Sequence, residues 1–189
     1  MSSTGRRPRA DALRNRDRLL AEADTVFREQ GTGAPLESVA RRAGVAIGTL
    51  YGHFPTRRAL VGAVLRDRNE ALFAAGNALC DQPPEAALRH WAALVVEHAA
   101  TYRGLAGMLA DGVDDDASEL HASCERMSDI GERLVDRAVA AQVVRQGVTG
   151  ADLFALMNAG AWTREHSSDE QAARLVSYTI DGMLATGSR

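Results

Sequence analysis

The chain has 189 residues, 46% of them hydrophobic and 5% aromatic, enough for one compact unit or two small ones with a proper core. Its longest apolar runs, such as Ala92 to Val96, fall far short of a membrane span, and no apolar signal core follows the arginine-rich start, so a cytoplasmic chain with no membrane contact is expected. The two cysteines, Cys80 and Cys124, have no Cys/His ligand spacing around them, which leaves no disulfide scaffold, zinc site or other cofactor to expect. The net charge of -3 conceals an asymmetry: residues 1–68 hold 13 arginines against 7 acids, whereas residues 69–189 hold 9 against 18. A basic first third beside an acidic remainder suits a chain whose one end meets a polyanion.

Residues 1–9, MSSTGRRPR, read as a disordered basic arm. A first helix is expected from Ala10 to Gln30, with Leu13, Leu20 and Phe27 at seven-residue intervals, Leu19, Ala23 and Val26 filling the stripe, and Gly31 as its stop. GTGAP then forms a loop, with Pro35 at the first position of the next helix. In LESVARRAGVAIGTLYGHF, residues 36–54, the apolar Leu36, Val39, Ala40 and Ala43 fall at i, i+3, i+4 and i+7, one helical face. Gly44 follows where a helix end favours positive φ, and Val45 plugs the turn. Ile47, Leu50 and Phe54 share one side of a second short helix; Gly48, Thr49 and Gly52 project from the other, with Tyr51 and His53 on the flanks. Two short amphipathic helices around a glycine break read as a helix-turn-helix. Taken by geometry alone, a plain pair of core helices remains open.

Pro55 breaks the chain and Thr56 caps a long fourth helix reaching about Cys80, with Leu60, Val61, Val64, Leu65, Ala71, Leu72, Ala75 and Leu79 on a broad face. Pro83 and Pro84 open a fifth helix to about Ala100, striped Leu88, Trp91, Leu94, Val95 and His98. A short sixth spans Tyr102 to Ala110. Asp116 caps a seventh of nearly thirty residues, closed by Gly147. Thr149 with Asp152 starts an eighth, and Ser168 with Gln171 forms a capping-box pattern for a ninth running to about Thr186. The fold class is therefore all-α, with about nine helices.

The string AGVAIGTLYGHFPT resembles the recognition-helix signature of TetR-family transcriptional regulators, A-G-V-(S/A)-x-G-T-L-Y-x-H-F, nearly completely over residues 39–60 and well from about 12 to 66. The resemblance implies a three-helix DNA-binding head, residues 10–55, and a larger helical body for ligand binding and dimerisation, residues 56–189. It further implies a one-component regulator, commonly a repressor, whose partners are double-stranded operator DNA, a second copy of itself and an unknown small-molecule effector. At matching positions it assigns Tyr51 and His53 to phosphates. Two departures weaken each head's grip: Ala46 stands where a Ser or Thr commonly caps the recognition helix, and Pro35 where a capping Thr is common.

The outward face of that helix offers base edges little beyond Thr49 between Gly48 and Gly52, with no Arg, Asn or Gln placed for bidentate base contacts. Arg41, Thr56 and Arg57 are expected to supply the surrounding backbone contacts, Arg9 of the arm to enter a minor groove where arginine reads width more than sequence, and for Arg42 and Arg58 simple solvation is an equal reading. With about 8 to 12 phosphates neutralised per dimer, log K should fall with log salt at a slope of about -7 to -11. In the body, Trp91, Leu94, Val95, His98, Met108, Cys124, Met127 and Gly131 are the candidate effector residues; each taken singly reads equally as core, and a lone His more often so. The last two helices are apolar on more than one side, which nominates Leu153, Leu156, Met157, Trp162, Leu175, Tyr178, Thr179 and Met183 for a four-helix isologous interface. An enzyme is disfavoured, since no HExxH, GxSxG, P-loop or GxGxxG occurs, and a helical scaffold without DNA affinity sits poorly with the basic head.

Overall fold

A computed structural model describes residues 6–110 and 119–185, with residues 6–10 and 110 given by their backbone alone. Among them run nine α-helices: α1 (Arg6–Gln30), α2 (Leu36–Arg42), α3 (Ile47–His53), α4 (Arg57–Ala78), α5 (Pro84–Ala99), α6 (Leu105–Ala110), α7 (Glu119–Ala140), α8 (Gly150–His166) and α9 (Asp169–Met183). A single 3-10 turn, Leu79–Asp81, follows α4, and one isolated bridge joins Val144 to Leu184. The all-α reading holds.

Helix α1 starts at Arg6, so residues 6–9, read as disordered arm, are helical backbone. Pro8 permits this because it falls in the first turn, where a backbone N–H has no intrahelical acceptor anyway. The stripe of α1 begins to bury only at Leu19: Leu13 is 63% exposed, because the helix runs on past the two short helices it packs against. Gly31, at φ 83°, ends α1 as expected, and Gly44, at φ 67°, ends α2. There the Val45 N–H reaches Ala40 O at 3.0 Å and the Gly44 N–H reaches Arg41 O at 3.2 Å, the pair of bonds of a Schellman motif. Pro35 proves to be the N-cap of α2 rather than its first residue, and neither it nor Ala46 at the start of α3 supplies a side-chain cap.

Two boundaries in the body differ from expectation. Helix α6 begins at Leu105, three residues late, because Gly104 at φ 83° turns the chain just before it. Helix α7 ends at Ala140, not near Gly147, because Gln142 adopts φ 58° and closes a second Schellman motif, with Val143 N–H to Ala138 O at 2.9 Å and Gln142 N–H to Val139 O at 2.9 Å. Asp116, expected to cap α7, lies outside the described residues. Thr149 and Asp152 form the full capping box of α8, whereas Ser168 caps α9 alone, since the Gln171 side chain pairs with Ser167 instead.

The apolar residues gather into two clusters. The first joins Leu19, Val26 and Phe27 of α1, Leu36 and Val39 of α2, Leu50 of α3 and Leu60 and Leu65 of α4 to Tyr102, Leu105 and Leu109 around α6. The second holds Leu72, Trp91, Val95, Met127, Leu134, Leu153, Met157 and Val176 from α4, α5, α7, α8 and α9. The upper cluster thus crosses the junction at residues 55 and 56: head and body share a core.

Candidate nucleic-acid interface and effector region

Leu50 is wholly buried and Phe54 nearly so, and they anchor α3 on the head. On the opposite side Gly48 and Gly52 are exposed, and a Cβ built on either would have no neighbour within 4 Å. Neither glycine has a positive φ. Thr49 and His53 are half-buried, while Tyr51 is 46% exposed. The helix therefore presents an open, nearly bare ridge between a phenol and an imidazole.

Around that ridge the cations divide by what already holds them. Arg41 is exposed. Arg42 pairs with Glu22 at 3.0 Å and Glu29 at 2.8 Å, linking α2 to α1. Arg57 departs from expectation: its Nη1 donates to the carbonyls of Thr32, at 2.7 Å, and Ala34, so this end of the guanidinium braces the α1–α2 turn instead of a phosphate. Thr56 Oγ1 likewise accepts the Ala59 N–H at 3.0 Å as the N-cap of α4. The side chain of Arg9 lies outside the described residues.

The head rests on the turn between α5 and α6 through contacts that local patterns did not reveal. Tyr102 packs edge-on against Phe27 at 6.0 Å and donates its hydroxyl to Asp24, which Arg28 also holds at 2.9 Å. Burial pushes the Asp24 carboxyl up, but the Arg28 and Tyr102 hydrogen bonds and the charges of Arg28 and Arg68 outweigh it and hold the group below the usual carboxylate range. The Tyr102 phenol is pushed up by burial and then by its bond to Asp24. Arg103 O accepts the Thr32 N–H at 2.8 Å, and the Gly104 N–H donates to Glu165 of α8 at 2.8 Å. The i,i+4 spacing of Asp24 and Arg28 was readable; a partner 78 residues away was not.

The eight effector candidates fall in three places. Trp91, Val95 and Met127 are buried in the second cluster beside Gly131. A methyl on Gly76 would sit 2.5 Å from the Trp91 ring, and the indole Nε1 has no hydrogen-bond partner. Leu94 and His98 instead line a groove between α4 and α5, with Arg68 and Ala71 opposite. Burial, then the charge of Arg68, pushes the His98 imidazole down to about 4, so it is neutral at physiological pH. Met108 and Cys124 border the first cluster, and burial pushes the Cys124 thiol up to about 11.

Of the residues nominated for a subunit interface, Leu153 and Met157 are corrected: they are 1% and 0% exposed within the chain and belong to its own core. Trp162, Leu175 and Tyr178 are 55%, 45% and 65% exposed, Thr179 is also exposed, and Leu156 and Met183 are half-buried. Among the described residues no three His, Cys, Asp or Glu side chains are placed to hold a metal ion, and no helix is long and apolar enough to cross a membrane.

The family model described as bacterial regulatory proteins, tetR family, matches residues 19–64, and the model for a transcriptional regulator SbtR-like C-terminal domain matches residues 83–185. The chain belongs to the TetR family. Its function is that of a DNA-binding transcriptional regulator. It is 30% identical over 155 residues to the HTH-type transcriptional regulator SrpR of Pseudomonas putida, covering 78% of this chain and 68% of that one. The TetR regulator SCO0520 of Streptomyces coelicolor is similar in structure, with TM-score 0.60 and 35% identity over 91% of this chain and 99% of the other. A TetR regulator of Mycobacterium vanbaalenii matches at TM-score 0.53 and 33% identity, covering 94% and 99%.

Proposed function

We propose that this TetR-family chain acts as a homodimeric repressor that a small hydrophobic or amphipathic effector releases from a pseudo-palindromic operator. The observation that carries the DNA contact is the pair of glycines on α3. A glycine inside a helix costs about 1 kcal/mol relative to alanine, and here neither backbone conformation nor crowding within the chain calls for one. A second body that must approach the helix backbone closely does call for it, and the major-groove floor is such a body. Tyr51, His53 and Arg41 then take the flanking phosphates, and two heads related by a two-fold axis read half-sites about 34 to 36 Å apart or a multiple of that. The Trp91 indole N–H, buried without an acceptor beside Gly131, supports an effector reaching the body core. A coupling of about 1 to 3 kcal/mol between effector and operator is ordinary for such a device, and operator must weaken effector binding by the same factor.

Gel-shift titration on the DNA upstream of the chain's own gene tests the reading with Gly48→Ala as the probe. The substitution is expected to raise thermal stability by up to about 1 kcal/mol, through helix propensity, while weakening the operator complex at least tenfold. Unchanged operator affinity in a stabilised Gly48→Ala protein would reject close approach at this position.

A further inference from the structure

The arginines of the first three helices differ in what holds them. Arg14 bonds to Asp11, Arg18 to Asn15, Arg28 to Asp24, and Arg42 to Glu22 and Glu29. Among those whose side chains are described, Arg16 and Arg41 alone have neither a hydrogen bond nor an ion pair. Arg16 is nonetheless held in place: it is half-buried, and its guanidinium lies over the Phe54 ring, 5.5 Å from the centroid. A cation–π contact of this kind spends none of the five N–H donors. Phe54 is the C-cap of α3, and its ring lies 6.2 Å from that of His53. Arg16 therefore stands at the same end of α3 as the imidazole on its flank. At about 100° per residue, the five acids of α1 all fall about 80° or more round the helix from Arg16, Asp24 being the nearest. A cation with open donors thus occupies an acid-free side of α1.

We infer that Arg16 is a further DNA-backbone contact, made from α1 to the phosphate beside the one that His53 takes. The inference rests on the reading that α3 lies in the major groove with His53 on a phosphate. Successive phosphates of one strand rise only about 3.4 Å along the duplex axis, so two side chains at one end of α3 meet neighbouring phosphates. A phosphate oxygen supplies the charged acceptor that Arg16 lacks within the chain, and its neutralisation releases counterions. Phe54 is the platform: it sets the guanidinium in place before DNA arrives, so less side-chain freedom is lost on binding. Arg16 touches no base, and it therefore adds affinity and fixes the head's position without choosing sequence. It supplies charge where Arg42 does not, because Arg42 is already paired with two carboxylates.

The test uses the full chain and the duplex upstream of its own gene, titrated between about 0.05 and 0.3 M salt. Arg16→Met removes the charge but keeps a flexible side chain against the Phe54 ring, so its melting curve should match the parent's. Its slope of log K against log salt is expected to be shallower by about 2, one phosphate from each of two heads, with binding at least about tenfold weaker near 0.1 M salt. Arg16→Gln should behave alike, and Arg16→Lys, which keeps the charge, should restore the parent's slope. Arg14→Met makes the same change of net charge two residues away, at an exposed arginine already paired with Asp11, and should move the slope by less than about 0.5. An Arg16→Met protein with the parent's slope, an Arg16→Lys protein as shallow as Arg16→Met, or an equal loss in Arg14→Met would overturn the inference. Gly48→Ala separately judges how closely α3 approaches the groove, so the two readings fail on different variants.

Discussion

His98 shows how burial sets a protonation state before any ligand is considered. It is 9% exposed, and its imidazole is pushed down to about 4 from an ordinary value near 6.5. The unfolded chain therefore takes up a proton between pH 6.5 and 4 that the folded chain refuses, and stability falls as pH falls through that window. At 1.36 kcal/mol per pH unit the loss between pH 7 and pH 4 approaches about 3 kcal/mol. His98→Gln has no such proton to refuse. Denaturant titrations at the two pH values should show the parent losing about 3 kcal/mol more than the variant; parallel losses would place His98 in a wetter site than the groove described. Arg57 and Arg58 make a related point about neighbouring cations. One has its Nη1 on two carbonyls of the α1–α2 turn and the other has Nη1 on Met108 O of α6, so arginines adjacent in sequence brace two different elements.

At the scale of elements, the helix stops separate what local chemistry specifies from what tertiary contact decides. Gly31 and Gly44 were legible because a glycine at a helix end announces its positive φ. Gln142 was not, and its φ of 58° ends α7 seven residues before the first eligible glycine closes anything. Two bonds of a Schellman motif and the burial of Val144, which pairs with Leu184 beyond α9, hold it there. A side chain in that region is strained by about 1 to 2 kcal/mol, partly offset because glycine loses more freedom on folding. Gln142→Gly is therefore expected to stabilise the chain by about 0.5 to 1 kcal/mol, about 1 to 4 °C in thermal unfolding for a chain of this size. A lowered melting temperature would show that the exposed Gln142 side chain makes an unseen contribution. The same division runs through the site. The apolar faces of α2 and α3 and the open glycine ridge follow from spacing within nineteen residues, whereas the split of the eight effector candidates among the second cluster, the groove and the border of the first cluster depends on which way α5 and α7 rotate against α4. Trp91 and Leu94 lie three residues apart on one predicted stripe, yet one is wholly buried against Gly76 and the other borders a groove. Stripe width on a helix does not report how many neighbours share it.

At the scale of the whole molecule, the core shared across the α3–α4 junction means that the head is not a module hung on a hinge: Tyr102, Leu105 and Leu109 pack into the same cluster as Leu19 and Leu50. The exposed large apolar side chains divide between the head and the last two helices. Of the five large hydrophobic side chains most exposed among the described residues, Leu13 and Tyr51 belong to the head, and Trp162, Leu175 and Tyr178 sit on α8 and α9. Leu175, Tyr178 and Thr179 fall at i, i+3 and i+4, one face of α9, and a TetR-family chain pairs with its own copy. In a two-fold interface each residue is used twice, so a buried aromatic anchor worth about 2 kcal/mol on truncation counts for about 4 kcal/mol per dimer, near a thousandfold in the dissociation constant. Tyr178→Glu adds a charge to that loss at a site 65% exposed in the single chain, where folding does not depend on the ring. Sedimentation of the variant at micromolar concentration is expected to show a folded monomer. Because the two heads would then bind half-sites independently, the same preparation should lose operator affinity and show roughly half the parent's slope of log K against log salt. A Tyr178→Glu protein that sediments as a dimer would move the interface off this face of α9.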